Sequence, residues 1–118
     1  MTNNEIFQSA LRADGDLAGV FEFDGETGYF YLYKENAPPN QKVIDTIHVI
    51  TGSPDFAEQD VTIRWADNEN LVGLHIRSKL WAAFDCREGA KYGGNYQMGG
   101  TPAIPETILR MFQEKDKI

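Results

Sequence analysis

LAGVFEFDGETGYFYLYK, residues 17–34, decides how the chain folds. Two runs of alternating apolar character, 17–24 and 29–34, flank Gly25, Glu26, Thr27 and Gly28, residue types that suit a turn. With 25–28 as the loop, Phe23 meets Phe30 and Phe21 meets Leu32, which makes one face apolar. On the other face Val20, Glu22 and Asp24 oppose Tyr33, Tyr31 and Tyr29. Both strands alternate in the same register, so a hairpin with one core face and one tyrosine–carboxylate face is expected.

Upstream, Asn3 or Asn4 can cap a short helix over residues 4–12, with Ile6, Phe7, Ala10 and Leu11 on one side and Asp14-Gly15-Asp16 as its stop. Downstream, Pro38-Pro39 forces a loop over 34–41. Residues 42–50 follow as a third strand, with Val43, Ile47 and Val49 on one side and Ile44, Thr46, His48 and Ile50 on the other. Thr51-Gly52-Ser53-Pro54 breaks it.

A second hairpin is expected from 61–66 and 71–77 around Asp67-Asn68-Glu69-Asn70. Trp65 then meets Val72, Ile63 meets Leu74 and Val61 meets Ile76, while Thr62, Arg64, His75 and Arg77 share the opposite face. A turn at Ser78-Lys79 would fold 80–85 back, placing Trp81 against Ile76 and Ala83 against Leu74. Residues 87–103 hold five glycines and read as loop. Residues 104–116 read as a helix, with Pro105 at its first turn, Ile104, Ile108, Leu109 and Phe112 as a buried stripe, and Lys115 and Lys117 at the negative end of its dipole. The resulting class is α+β: one domain over 1–118, a single antiparallel meander sheet of about six strands, a short N-terminal helix and a C-terminal helix packed on one face.

The charge is lopsided. Eighteen Asp and Glu against eleven Lys and Arg give a net charge of −7, and no Lys/Arg cluster interrupts it. This argues against nucleic acid and anionic membranes as partners, since both demand a basic footprint. It fits solubility, and it fits attraction to a basic partner protein. The single cysteine, Cys86, cannot close an internal disulfide, which suits a reducing compartment. The N-terminus carries no basic and apolar targeting pattern, and no apolar run approaches the roughly 18 residues a membrane helix needs, so the cytoplasm is expected.

Few patterns carry chemistry. Residues 94–101 echo a phosphate loop, but Gly100 stands where lysine is required, and Pro102 and Pro105 follow where a helix should start. A mobile binding loop with Tyr92, Tyr96 and Met98 as contacts is the alternative there. Cys86 and His75 lie on neighbouring strands but out of level, which does not make a nucleophile–base pair. His48 and His75 alone define no metal site, and the acidic run Asp14, Asp16, Glu22, Asp24 and Glu26 lacks the spacing of a calcium loop. No cofactor is implied. The tyrosines stand out: Tyr29, Tyr31 and Tyr33 line one face beside Glu22 and Asp24, a combination suited to a basic protein partner. A single-stranded nucleic-acid platform would need cationic flanks instead.

Trp65, the run Trp81-Ala82-Ala83-Phe84-Asp85, Lys91-Tyr92-Gly93-Gly94 and Ile104-Pro105 together resemble small bacterial families of uncharacterised function, some of which act as immunity proteins beside secreted toxins. The resemblance spans about residues 61–105 and brings no catalytic residues. It implies a bacterial cytoplasmic protein and gives a hint of toxin neutralisation. The expected function is therefore a non-enzymatic protein-binding module. One alternative is a small-molecule binder or enzyme with its site under the 87–103 loop, near Asp85, Tyr92 and Tyr96. Another is a homo-oligomeric structural protein, dimeric through a sheet edge or the tyrosine face.

Overall fold

The computed structural model describes residues 5–66 and 68–115. Eight strands and one α-helix follow in order, with two short 3-10 turns at Pro39–Gln41 and Glu58–Asp60: β1 (Ile6–Leu11), β2 (Leu17–Phe23), β3 (Thr27–Lys34), β4 (Val43–Thr51), β5 (Val61–Ala66), β6 (Leu71–Ile76), β7 (Lys79–Asp85), β8 (Ala90–Gly93) and α1 (Glu106–Lys115). They form two four-stranded antiparallel meanders, β1-β2-β3-β4 and β5-β6-β7-β8. The expected single six-stranded sheet with two helices is thus overturned.

The reason lies in the amount of apolar surface. Each hairpin presents a strongly apolar face, and among the described side chains of the ten-residue α1 only Ile108 and Phe112 are buried. Turned toward each other, the sheets bury both faces in one cluster, from Phe21, Phe30 and Val49 on one side to Ile63, Leu74 and Phe84 on the other. Phe30 and Phe84 meet across it with ring centroids 5.2 Å apart. The break at residues 52–54 is where the chain passes from one sheet to the other.

Residues 6–11, expected as helix, are strand β1. The open edge of β2 decides this: six residue pairs, from Ile6↔Phe23 to Leu11↔Ala18, outweigh local helix propensity. Asp14-Gly15-Asp16 belongs to the hairpin turn, closed by Gly15 N–H to Arg12 O at 2.8 Å. Asn3 and Asn4, the expected caps, lie outside the described residues.

The β2–β3 register runs two residues from expectation, with Phe21 opposite Phe30 and Glu22 opposite Tyr29. A shift of two preserves both faces. Irregularities in the β3–β4 pairing leave Val43 and Ile44 exposed and bring Ile50 into the core beside Ile47 and Val49.

The β5–β6 register is as expected: Val61↔Ile76, Ile63↔Leu74 and Trp65↔Val72. Asp67, within its turn, lies outside the described residues. The β6–β7 turn sits one residue earlier than expected, on Arg77 and Ser78, with φ of 53° and 70°. Arg77 is held there by its N–H to Asp60 O at 2.8 Å and by Asp55 at 3.2 Å. A bulge near Leu74/His75 then puts Leu74 opposite Ala82. Ala83 consequently turns to the opposite face, under α1.

Residues 87–103 are not all loop: Ala90–Gly93 pairs with β7 as β8. Beyond it the chain crosses to the first sheet, with Asn95 N–H to His48 O at 2.9 Å and Tyr96 N–H to Val49 O at 2.6 Å. Gly94, at φ 99°, makes the crossing, and a Cβ there would meet His48 O at 2.7 Å. The helix begins at Glu106 rather than at 104, and Asp116 and Lys117 lie outside the described residues.

Candidate functional site

A groove of about 450 Å³ lies on the outward face of the first sheet. The pairing of β1, β2 and β3 lays it out as a grid. Phe7, Glu22 and Tyr29 form one row, Ser9, Val20 and Tyr31 the next, and Leu11, Ala18 and Tyr33 the third. Ala18 and Val20, on the middle strand, are 4% and 8% exposed and make the floor. Phe7 and Leu11 on one side are 56% and 55% exposed. Tyr31 and Tyr33 stand on the other. The groove therefore runs along β2, with Glu22 near one end and Glu35 at the other.

Hydrogen bonds fix the polar groups. Tyr31 donates its hydroxyl to Glu22 Oε1. Burial first, and then that carboxylate, push the Tyr31 phenol up to about 12, so it stays a donor at neutral pH. Glu35 is tied back to the start of β2 through its N–H to Asp16 O at 2.8 Å. Lys42 Nζ lies 5.6 Å from the centre of the Tyr33 ring and donates to the Glu35 carbonyl at 2.6 Å. The Asp16 carboxylate is occupied by Arg12 at 2.8 Å, and this hydrogen bond is the main reason its pKa falls to about 2.

Tyr29, Tyr31, Tyr33 and Glu22 thus share one face, with Tyr31, Tyr33 and Glu22 in the groove itself. Tyr29, 40% exposed, sits beside it, edge-on to His48 at 5.5 Å. Asp24 is turned to another task. Its Oδ1 accepts the N–H groups of Thr27 at 2.8 Å and Glu26 at 2.9 Å, which caps the β2–β3 turn and lowers its pKa. Tyr96 donates to Asp55 at 2.7 Å and packs against Phe56 and Trp81, sealing one end of the sandwich. Tyr92 packs under α1. Neither joins the tyrosine face.

The groove residues missing from the sequence reading are Phe7, Ser9, Leu11, Ala18 and Glu35. The signal was present in residues 6–11, where Phe7, Ser9 and Leu11 alternate with Ile6, Gln8 and Ala10. The same residues also satisfy a helical stripe.

Around the 87–103 segment the hollow is smaller, about 170 Å³, and its lining includes Trp81, Tyr96 and Met98. Asp85 and Tyr92 do not line it; Asp85 accepts the N–H groups of Arg87 and Glu88 in the β7–β8 turn. Cys86 is half-buried, and burial pushes its thiol up, away from the thiolate form. His75 is opposite Leu80, at the far end of β7 from Cys86. It is buried edge-on against Phe112 at 5.4 Å, with Arg64 Nη2 3.5 Å from its Nε2. His48 bridges Asn95 at 2.9 Å and Thr51 at 2.7 Å. Among the described residues no group of His, Cys, Asp and Glu gathers in a way that could hold a metal ion. No helix among them is long and apolar enough to cross a membrane.

Sandwich and groove together define a two-sheet β protein with one outer face closed by a helix and no described element over the other. The chain belongs to a bacterial family described as "Uncharacterized protein conserved in bacteria (DUF2251)", whose profile matches residues 1–102. That span covers both sheets and stops before α1. No curated protein and no solved structure matches the chain significantly.

Proposed function

We propose that the chain is a non-enzymatic protein-binding module that docks a basic partner in the groove along β2. The observation behind this reading is the composition of that groove. An apolar floor and wall, a tyrosine wall and carboxylates near both ends coexist in one groove of about 450 Å³. Interfaces favour tyrosine with apolar anchors at their centre and polar groups at the rim. The net charge of −7 would accelerate encounter with a cationic surface and make association sensitive to salt. The most concrete form is an acidic immunity-type protein that covers a basic toxin. Cys86, as the only cysteine, favours a reducing compartment such as the bacterial cytoplasm.

The test is affinity capture from the bacterial host at low and high salt, with the wild-type chain and with a Phe7→Lys/Leu11→Lys double variant. Capture of a basic protein by the wild type at low salt, reduced by high salt and abolished in the variant, is expected. Capture that the two substitutions leave unchanged would sink the proposal, as would the absence of any basic partner at low salt.

A further inference from the structure

We infer that the element received by the groove is an amphipathic α-helix of the partner, with leucine-like residues on one side and Lys or Arg near both ends. This rests on the docking role proposed above and specifies what docks. Three observations carry it.

The first is width. The walls belong to β1 and β3, the two neighbours of β2, so they stand about 10 Å apart at the usual strand spacing. A helix with its side chains is about 10–12 Å across.

The second is what the face offers. The groove presents side chains, not strand-edge N–H and C=O groups. An extended segment lying on it would leave its own backbone unpaired, whereas a helix satisfies that backbone internally. The second sheet already uses this solution. There α1 lies over Gly73 and Ala83, and Phe112 approaches so closely that a Cβ on Gly73 would stand 2.7 Å from its ring. Ala18 and Val20 hold the corresponding central place in the first sheet.

The third is charge. Glu22 pairs with Tyr29, and Glu35 lies six residues further along from Tyr29. At about 3.3 Å per residue this places the backbones of the two glutamates roughly 20 Å apart along the groove. That distance corresponds to about 13 helical residues. Lys42 over Tyr33 shows that one of these rings accepts a cation.

Three synthetic 15-residue peptides, titrated into the full chain by calorimetry with amide shifts followed by NMR, test the inference. One carries Leu at helical spacing with Lys elsewhere. The second has the same composition with Leu and Lys alternating. The third is the helical peptide with Glu for Lys. The helical Leu/Lys peptide should bind and shift the amides of β1–β3. The alternating peptide should bind at least tenfold more weakly, and the Glu peptide should not bind. Leu11→Lys, at an exposed position, should weaken the helical peptide at least tenfold.

Equal or tighter binding of the alternating peptide in the groove overturns the helix and leaves the docking role standing. Binding insensitive to Leu11→Lys, or no binding by any peptide, overturns both. A self-association in sedimentation that Leu11→Lys abolishes makes a second copy the occupant and overturns the partner helix.

Discussion

On the second sheet, Gly73 and Ala83 leave room that Ile108 and Phe112 of α1 fill, whereas on the first, Ala18 and Val20 leave room that no described element fills. Both sheets are four-stranded meanders, and both give their inner faces to the same core. They differ in their outer residues. The covered face carries Leu71, Leu80 and the buried His75. The open one carries three tyrosines, two carboxylates and two apolar side chains more than half exposed. A protein hides its apolar surface where its own chain suffices. The docking role proposed above assigns this apolar strip, edged with carboxylates, to a partner.

The contrast breaks most visibly at Phe112, which is 2% exposed. Phe112→Ala should cost about 3–5 kcal/mol, because it removes a buried ring and opens a cavity over Gly73. Urea unfolding followed by circular dichroism measures this. A loss below about 1 kcal/mol would mean that α1 is not what closes the second sheet. Leu11→Lys is the counterpart on the open face. Leu11 is 55% exposed, so its replacement should change stability by no more than about 0.5 kcal/mol while groove binding falls at least tenfold. A large stability loss would show Leu11 to be part of the core.

The second hairpin is legible in register because its alternation is unambiguous. Val61, Ile63 and Trp65 against Ile76, Leu74 and Val72 admit one register, and the turn between them has fixed length. The faces of the first hairpin were legible for the same reason, and the tyrosine side of the groove came with them. The assignment of hairpins to sheets was not legible. Whether two apolar faces are covered by helices or by each other depends on total area, which no local pattern states. Strand β1 is hidden from a local pattern because Ile6, Phe7, Ala10 and Leu11 satisfy a helical period, while pairing with the free edge of β2 selects the strand. With β1 misread, one wall of the groove disappeared. Strand β8 was masked by its flanking glycines, which serve the turn at Gly89 and the crossing at Gly94.

The smallest expected effect is at the seam that joins the two sheets. Arg12 holds Asp16 at 2.8 Å in the first sheet's turn and donates to Glu69 O at 2.9 Å in the second's. The hydrogen bond from Arg12 lowers the Asp16 pKa from 3.8 to about 2. A carboxylate whose folded pKa is depressed contributes stability that is fully present above its unfolded pKa and lost as pH falls through the folded one. Wild-type stability from this pair should therefore hold above about pH 4 and decline between pH 4 and 2. Asp16→Asn should lie below the wild type at pH 5, and the two should converge near pH 2, as read from urea midpoints at pH 5, 3 and 2. Parallel curves over that range would show that the pair does not contribute to the seam. Because Asp16 sits apart from α1, the same substitution should leave the response to Phe112→Ala additive, so the closed face and the seam would be separable parts of one stability.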